Sequence, residues 1–248
     1  MTNLRQDFEL DFGGFQISCS KWLASEQEAA PQALILHGAG KADKNRVGAL
    51  CQAFAESGIT SIAFDFIGHG TSSGLLSESS LAIRTDLCSY IAKNEFGNSI
   101  RFLVGFSMGC YNAVHLAARE HVKIEKLILF APAAYNPEAD YASFGSAFSE
   151  IIRRPDSWRH SEVFNLIKKY SGQLVIITGD RDDVVPDEIA WLLCRNATSA
   201  KVRELVCIGS AGHKLSGWLS KQPESVSTIC KFLFASELLS QLDYSDSL

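Results

Sequence analysis

The sequence predicts an α/β fold with a doubly wound, mostly parallel sheet of eight strands and a small helical cap. Short apolar runs bounded by glycine or polar residues alternate with helical segments along the chain. Such runs are typical of strands buried on both faces of a parallel sheet, and their alternation with helices predicts the doubly wound arrangement. The length of 248 residues suits a single domain spanning residues 1–248.

The sheet is predicted to begin with a hairpin, because two β-rich runs flank Gly13-Gly14. The predicted strands are Phe8–Phe12, Phe15–Trp22, Ala33–Leu36, Ile59–Phe64, Ile100–Val104, Lys126–Phe130, Leu174–Thr178 and Val202–Cys207. The predicted helices are Arg46–Glu56, Ser79–Lys93, Met108–Glu120, Asp187–Arg195 and Glu224–Phe234.

One long interval, residues 131–172, separates two of the later strands. Apolar residues recur at helical spacing from Tyr141 to Ile152, and Arg153-Arg154-Pro155 ends that run. A second run from Val163 to Tyr170 follows Ser161, which is a suitable N-cap residue. We predict a two-helix cap inserted over the sheet. The alternative is that these are ordinary crossover helices packed against it.

Composition excludes several classes of protein. The net charge of -5, from 23 basic and 28 acidic side chains, argues against a nucleic-acid-binding protein, which normally has a basic face. The N-terminus has no apolar core of the signal-peptide type, and the longest apolar run, Leu127 to Ala134, is too short to span a bilayer. The seven cysteines are scattered without a C-x-x-C pair, so they predict free thiols and no zinc site. We therefore expect a cytoplasmic protein without membrane insertion.

The segment Gly105-Phe106-Ser107-Met108-Gly109 fits the pattern G-x-S-x-G and makes Ser107 the candidate nucleophile. The pattern alone is weak, because small residues are common in turns. Its context is stronger, since it follows a predicted strand and opens a predicted helix, as the tight turn around a nucleophilic serine requires. Side chains at the two glycine positions would collide with the neighbouring strand and helix.

A nucleophilic serine needs a histidine base and an acid that orients the histidine. Among the six histidines, His213 is the best placed, because it follows a predicted strand whose carboxyl end lies at the same edge of the sheet as Ser107. The acid should come from the loop after the preceding strand, where the spacing G-x-x-D-x-x-V-P selects Asp182. The neighbouring Asp180 and Asp183 stay open as alternatives.

Five linked segments give the chain a family resemblance. They are HGAG (His37–Gly40), FDFIGHGTSSG (Phe64–Gly74), GFSMG (Gly105–Gly109), GDRDDVVP (Gly179–Pro186) and GSAGH (Gly209–His213). In this order and spacing the chain resembles the α/β-hydrolase superfamily. It is most similar to the branch of feruloyl or cinnamoyl esterases and monoacylglycerol-lipase-like, serine aminopeptidase S33-type hydrolases. The resemblance implies an α/β-hydrolase fold, and an oxyanion hole formed by the backbone N–H groups of Ala39 and Met108.

The resemblance also implies a serine hydrolase, carboxylesterase-like, that uses an acyl-enzyme intermediate and needs no metal or organic cofactor. The expected partner is a small-molecule ester, and the aromatic residues Phe144, Phe148 and Trp158 of the predicted cap are candidate substrate-binding residues. A peptidase or thioesterase with the same three residues, or a non-catalytic ligand-binding protein on this fold, remain the alternatives. The sequence leaves the oligomeric state open.

Overall fold

The structure, a computed structural model, describes residues 4–26 and 30–239. Its eight strands are β1 (Arg5–Phe12), β2 (Phe15–Trp22), β3 (Ala33–Leu36), β4 (Ser61–Phe64), β5 (Ser99–Phe106), β6 (Lys123–Phe130), β7 (Gln173–Gly179) and β8 (Val202–Ile208). They form one sheet in the order β1-β2-β4-β3-β5-β6-β7-β8. β2 pairs antiparallel with β1 and β4, and all other pairs are parallel. The predicted fold class is confirmed, as is the hairpin at the start of the sheet.

The α-helices of the described chain are α1 (Gly48–Glu56), α2 (Leu81–Phe96), α3 (Met108–Ala117), α4 (Ser146–Ile152), α5 (Val163–Leu166), α6 (Asp187–Asn196), α7 (Leu215–Ser220) and α8 (Pro223–Leu239). Short 3-10 helices lie at Lys44–Val47, Leu76–Glu78, Pro137–Ala139, Ser157–His160 and Ile167–Lys169. The five helices predicted between and after the strands are present with shifted ends. The short helix α7 was not predicted.

The sheet is covered on both faces. Leu34 and Leu36 of β3 belong to the apolar cluster beneath α2, α3 and α6, whereas Ala33 and Ile35 belong to the cluster beneath α1, α7 and α8. All four side chains are fully buried. Side chains alternate between the two faces of a strand, so a strand buried on both sides must be apolar throughout. This explains why the parallel strands inside the sheet appear in the sequence as short continuous apolar runs, whereas the edge strand β8 alternates partly buried and exposed positions.

The interval 131–172 connects β6 to β7 and contains α4 and α5. α5 packs against α3 and α6, so this segment lies on the same face of the sheet as those helices. The prediction of Ser161 as an N-cap is wrong, because the N-cap residue of α5 is Glu162. Ser161 is buried, and its hydroxyl accepts a hydrogen bond from the Tyr135 N–H instead. Treating this interval as a separate cap stays a prediction.

The structure shows the state of the cysteines. All seven cysteines are free thiols, and five of them are buried among apolar side chains, as their sequence neighbours suggest. Burial raises the pKa of the Cys51 and Cys88 thiols to about 12, so these side chains behave as small hydrophobic groups.

Within the described ranges, no helix has the length and apolar character needed to cross a membrane.

Candidate active site

Ser107 occupies a tight turn between β5 and α3. Its backbone has φ 51° and ψ -115°, a conformation that a residue with a side chain rarely adopts. The turn requires glycine two residues before and two residues after Ser107, at Gly105 and Gly109. A Cβ at Gly105 would lie 2.7 Å from the backbone of Cys110, and one at Gly109 would lie 2.6 Å from the carbonyl oxygen of Leu36. The packing around the turn therefore requires glycine at both positions.

The side chains of Ser107, His213 and Asp182 form one hydrogen-bonded series. Ser107 Oγ lies 2.9 Å from His213 Nε2, and His213 Nδ1 lies 2.8 Å from Asp182 Oδ2. When Nδ1–H donates to the carboxylate, Nε2 carries a lone pair and can accept the hydroxyl proton of Ser107. The three residues follow the carboxyl ends of β5, β8 and β7, so the sheet brings them together from distant parts of the chain.

Among the three aspartates of the loop after β7, the structure brings only Asp182 to His213. The Asp182 side chain is 3% exposed, and its second oxygen accepts hydrogen bonds from the N–H groups of Val184 and Val185. These bonds hold the carboxylate in one orientation. Asp180 and Asp183 are exposed, and neither contacts a histidine within the described chain. Asp182 is thus the aspartate placed to orient the imidazole.

Ala39 and Met108, the two residues expected to form an oxyanion hole, line the same cavity as Ser107. Neither N–H has a hydrogen-bond acceptor within residues 4–26 and 30–239. Met108 is the first residue of α3, where the helix dipole and the free N–H groups favour a negative charge. A Cβ at Gly38 would lie 3.3 Å from Ser107 Cβ, which shows how closely the loop after β3 approaches the serine.

Arg84 of α2, which was not identified from the sequence, donates hydrogen bonds to the loop after β3. It is fully buried, and its Nη2 donates to the carbonyl oxygens of His37 at 3.0 Å and Gly38 at 3.4 Å. Its Nη1 lies 3.1 Å from Met108 Sδ. Burial lowers the pKa of the guanidinium to about 10, which leaves it charged at neutral pH. Arg84 therefore connects the two backbone segments that carry the Ala39 and Met108 N–H groups.

The sequence contained one signal for the burial of Arg84. The residue lies on the stripe of α2 formed by Leu81, Leu87, Cys88 and Ile91, all of which are fully buried. A charged residue on the apolar stripe of an amphipathic helix points into the core, where it must find polar partners. The guanidinium also lies 3.6 Å above the ring of Phe66, which supplies a cation–π contact.

His37 and His69 brace the loops next to the site through hydrogen bonds to the backbone. His37 Nδ1–H donates to the Gly38 carbonyl, and Nε2 accepts from the Phe66 N–H. His69 Nδ1–H donates to the Ala42 carbonyl. Burial, followed by the nearby charge of Arg84, lowers the pKa of both imidazoles below the usual range. Both rings are therefore neutral at pH 7 and act as hydrogen-bonding braces.

A cavity of about 850 Å³ opens above Ser107 and His213. Of the three aromatic residues predicted to bind substrate, Phe148 and Trp158 lie on its wall. Phe144 does not lie on the wall but behind Phe148, with the ring centroids 4.8 Å apart and the planes nearly perpendicular. The wall also contains Tyr135, Ile152, Val184, Val185 and Ile189.

Several solved structures share this architecture. A structure of Est1E from Butyrivibrio proteoclasticus with bound ferulic acid is 22% identical, with a TM-score of 0.70, and the match covers 92% of this chain and 99% of that chain. The thioesterase domain from the curacin biosynthetic pathway is 19% identical, with a TM-score of 0.69 and coverage of 90% and 99%. The 2-hydroxy-6-oxo-6-phenylhexa-2,4-dienoate hydrolase from Rhodococcus sp. strain RHA1 is 19% identical, with a TM-score of 0.63 and coverage of 90% and 98%.

At these identities the structural similarity establishes the α/β-hydrolase fold. No curated protein matches the chain in sequence. The family model described as serine aminopeptidase, S33, matches residues 27–158, which is more than half of the chain. The resemblance inferred from the five sequence segments is confirmed, and this chain belongs to the serine aminopeptidase S33 family of α/β-hydrolase-fold serine hydrolases.

Proposed function

We propose that this protein is a serine hydrolase that cleaves a carboxylic ester of small or medium size through an acyl-enzyme intermediate. The observation that carries the proposal is the hydrogen-bonded series Ser107–His213–Asp182 at the base of the cavity. A serine hydroxyl is a poor nucleophile unless a base removes its proton, and His213 Nε2 lies at hydrogen-bonding distance for that transfer.

In the proposed first step, Ser107 Oγ attacks the carbonyl carbon while His213 takes the hydroxyl proton. The carbonyl oxygen becomes an oxyanion and accepts hydrogen bonds from the Ala39 and Met108 N–H groups, which have no other acceptor in the described chain. Losing one such donor costs roughly 10²–10³-fold in kcat. Asp182 keeps the imidazole in the correct tautomer and stabilises the imidazolium.

In the following steps His213 returns its proton to the leaving alcohol, and the bond between the acyl carbon and the alcohol oxygen breaks. Water then attacks the acyl-enzyme, His213 accepts a proton from that water, and Ser107 is released with the carboxylic acid as product. His213 acts first as base and then as acid in each half of the cycle, so one imidazole serves both transfers.

Apolar side chains cover much of the cavity wall, Phe148, Trp158 and Ile189 among them, and favour a substrate with an apolar acyl or aryl group. Peptidase and thioesterase activity would use the same three residues. A panel of p-nitrophenyl esters, S-acyl thioesters and aminoacyl anilides, compared by kcat/KM, separates the three. A non-catalytic ligand-binding role would give tight binding with no turnover of any of them.

The test of the nucleophile is labelling with a fluorophosphonate, followed by mapping of the modified residue. The label is expected at Ser107, and Ser107→Ala should abolish both labelling and the burst of p-nitrophenol from p-nitrophenyl acetate. Ser216 also lines the cavity, so Ser216→Ala is the matched control and should keep the label at Ser107. Full activity in Ser107→Ala would refute the proposal. The cytoplasmic location stays a prediction.

A further inference from the structure

One side of the cavity is strongly basic. Lys41, Arg46, Lys214 and Lys221 line it, and no aspartate or glutamate of the described chain does so. The protein as a whole has a net charge of -5, so a random part of its surface would contain more acidic than basic side chains. The cavity wall instead has four basic side chains and, among the described residues, no acidic one. All four residues are exposed, and their ammonium and guanidinium groups can reach a ligand in the cavity.

None of these four side chains has a partner within residues 4–26 and 30–239. Among the described residues, no ion pair or side-chain hydrogen bond involves any of them. Three other surface arginines do form ion pairs: Arg119 with Asp86, Arg154 with Glu138, and Arg159 with Glu188. Within the part of the chain that the structure describes, no acidic side chain neutralises this positive charge.

The basic residues form one side of the cavity because their backbone segments are neighbours. Lys214 and Lys221 flank α7, and α7 packs against α1 and against the 3-10 helix Lys44–Val47 that contains Arg46. These elements belong to the apolar cluster on one face of the sheet. Lys214 directly follows His213 along the chain, whereas Lys41 and Arg46 come from the segment between β3 and α1.

The opposite side of the cavity is apolar. Phe148, Ile152 and Trp158 come from the interval between β6 and β7, and Val185 and Ile189 come from the start of α6 and the loop before it. These residues belong to, or pack against, the apolar cluster on the other face of the sheet. The cavity is therefore polarised, with Ser107 between a basic side and an apolar side.

We propose that the substrate is an ester that carries a negatively charged group, a carboxylate or a phosphate. The charged group binds between α7 and the loop after β3, while the apolar part of the substrate packs against Phe148, Trp158 and Ile189. This inference rests on the proposed function, because it assigns the substrate class of the same site. The reaction is unchanged: water supplies a hydroxyl to the acyl carbon and a proton to the alcohol, and the acyl–oxygen bond breaks.

The anion can belong to the acyl part or to the alcohol part, and two pairs of esters distinguish them. For the acyl part, p-nitrophenyl hydrogen adipate is compared with p-nitrophenyl hexanoate. For the alcohol part, the butyryl ester of 4-hydroxybenzoate is compared with that of 4-hydroxybenzamide. We expect kcat/KM for the anionic member of at least one pair to exceed that of its neutral partner by roughly tenfold at low salt, as several weak exposed charge contacts add together.

The preference should depend on salt, because the cationic groups are exposed. Raising the ionic strength from about 0.01 M to about 1 M shortens the screening length from about 30 Å to about 3 Å. The ratio of anionic to neutral kcat/KM should therefore fall toward one. A preference that depends only on the shape of the substrate would not respond to salt.

The variant that tests the assignment is Lys41→Gln/Lys221→Gln. It should lower the anionic-to-neutral ratio of kcat/KM roughly threefold, because two of the four exposed charge contacts are lost. The matched control is Lys123→Gln/Lys201→Gln, which removes the same charge from exposed lysines at the amino ends of β6 and β8, the opposite edge of the sheet. The control should keep the wild-type ratio.

Three results would overturn the inference. If the neutral esters are cleaved and the anionic ones are no better, the substrate class is wrong while the proposed function stands. An anionic preference that is equal in both double variants would mean that Lys41 and Lys221 do not provide it. If Ser107 is not labelled and no ester is cleaved, the proposed function fails, and the charged substrate fails with it.

Discussion

Arg84 donates a hydrogen bond of 3.0 Å to the carbonyl oxygen of His37, although the two residues are 47 positions apart. The same guanidinium contacts Met108. It therefore links the loop that carries the Ala39 N–H to the start of α3, which carries the Met108 N–H. In the proposed mechanism these two N–H groups must point at one oxyanion, so Arg84 acts as a positioning residue.

We predict that Arg84→Met lowers kcat by about tenfold or more and leaves KM for a neutral ester within about twofold, because misaligned donors weaken transition-state binding more than substrate binding. Arg84→Lys should recover little of the lost rate, since an ammonium cannot reproduce the planar fork of donors. Steady-state kinetics measures both values.

A purely structural role for Arg84 would give a different result. If Arg84 positions the two N–H groups, the affinity of the variants for a boronic acid, which forms a tetrahedral adduct with Ser107, should fall in parallel with kcat. If urea unfolding shows lower stability while kcat and boronate affinity stay at wild-type values, the positioning role of Arg84 is wrong.

The loop after β7 allows a direct comparison of three aspartates. We predict that Asp182→Asn lowers kcat on the order of 10³–10⁴-fold, because the amide cannot accept from His213 Nδ1–H in the same way and the wrong tautomer is favoured. Asp180→Asn and Asp183→Asn are the matched controls, since both side chains are exposed. Each should stay within about twofold of wild type. Loss of activity in either control, with Asp182→Asn active, would reassign the acid.

The parts of the molecule that local sequence encodes were predictable. The apolar strands predicted the sheet, and the G-x-S-x-G turn with its flanking strand and helix singled out Ser107. The spacing after β7 selected Asp182 from three aspartates, and the structure places that residue against His213. Each of these inferences depended either on residues only a few positions apart or on one general rule. The rule is that the carboxyl ends of parallel strands lie at the same edge of the sheet.

Features that depend on contacts between distant segments were not predictable. The basic side of the cavity combines Arg46 with Lys214, and only the packing of α7 against the Lys44–Val47 helix brings them together. α7 itself was missed because it is six residues long and contains Gly217, so its sequence has no clear helical periodicity. Phe144 has the same apolar character as Phe148, and only the tertiary structure shows that one ring lies behind the other.

The close approach of β3 to α3 predicts a specific sensitivity at Gly109. An alanine Cβ there would lie 2.6 Å from the Leu36 carbonyl oxygen and 2.8 Å from that of His37, so backbone would have to move. We expect Gly109→Ala to lower the free energy of unfolding by about 1–3 kcal/mol. Gly209→Ala is the control, because a Cβ there meets nothing within 4 Å. Equal stability of the two variants in urea unfolding would contradict the packing described for this turn.

The stability of the protein in acid should depend on His115 of α3. Burial, followed by the charge of Arg119, lowers the pKa of His115 from 6.5 to about 4. The ring lies 4.4 Å from that of Tyr111, and its Nε2 is buried without a partner among the described residues. The folded state therefore binds a proton at His115 less readily than the unfolded chain does. His115 contributes stability that is present above pH 6.5 and is lost as the pH falls toward 4.

We expect the wild type to lose about 2 kcal/mol more stability than His115→Gln between pH 7 and pH 5. Urea unfolding at the two pH values measures this difference, and any change in packing caused by the substitution cancels because it is present at both. His121→Gln, which replaces an exposed histidine, is the matched control and should keep the wild-type pH dependence. If His115→Gln loses as much stability as the wild type over this range, protonation of His115 is not coupled to unfolding.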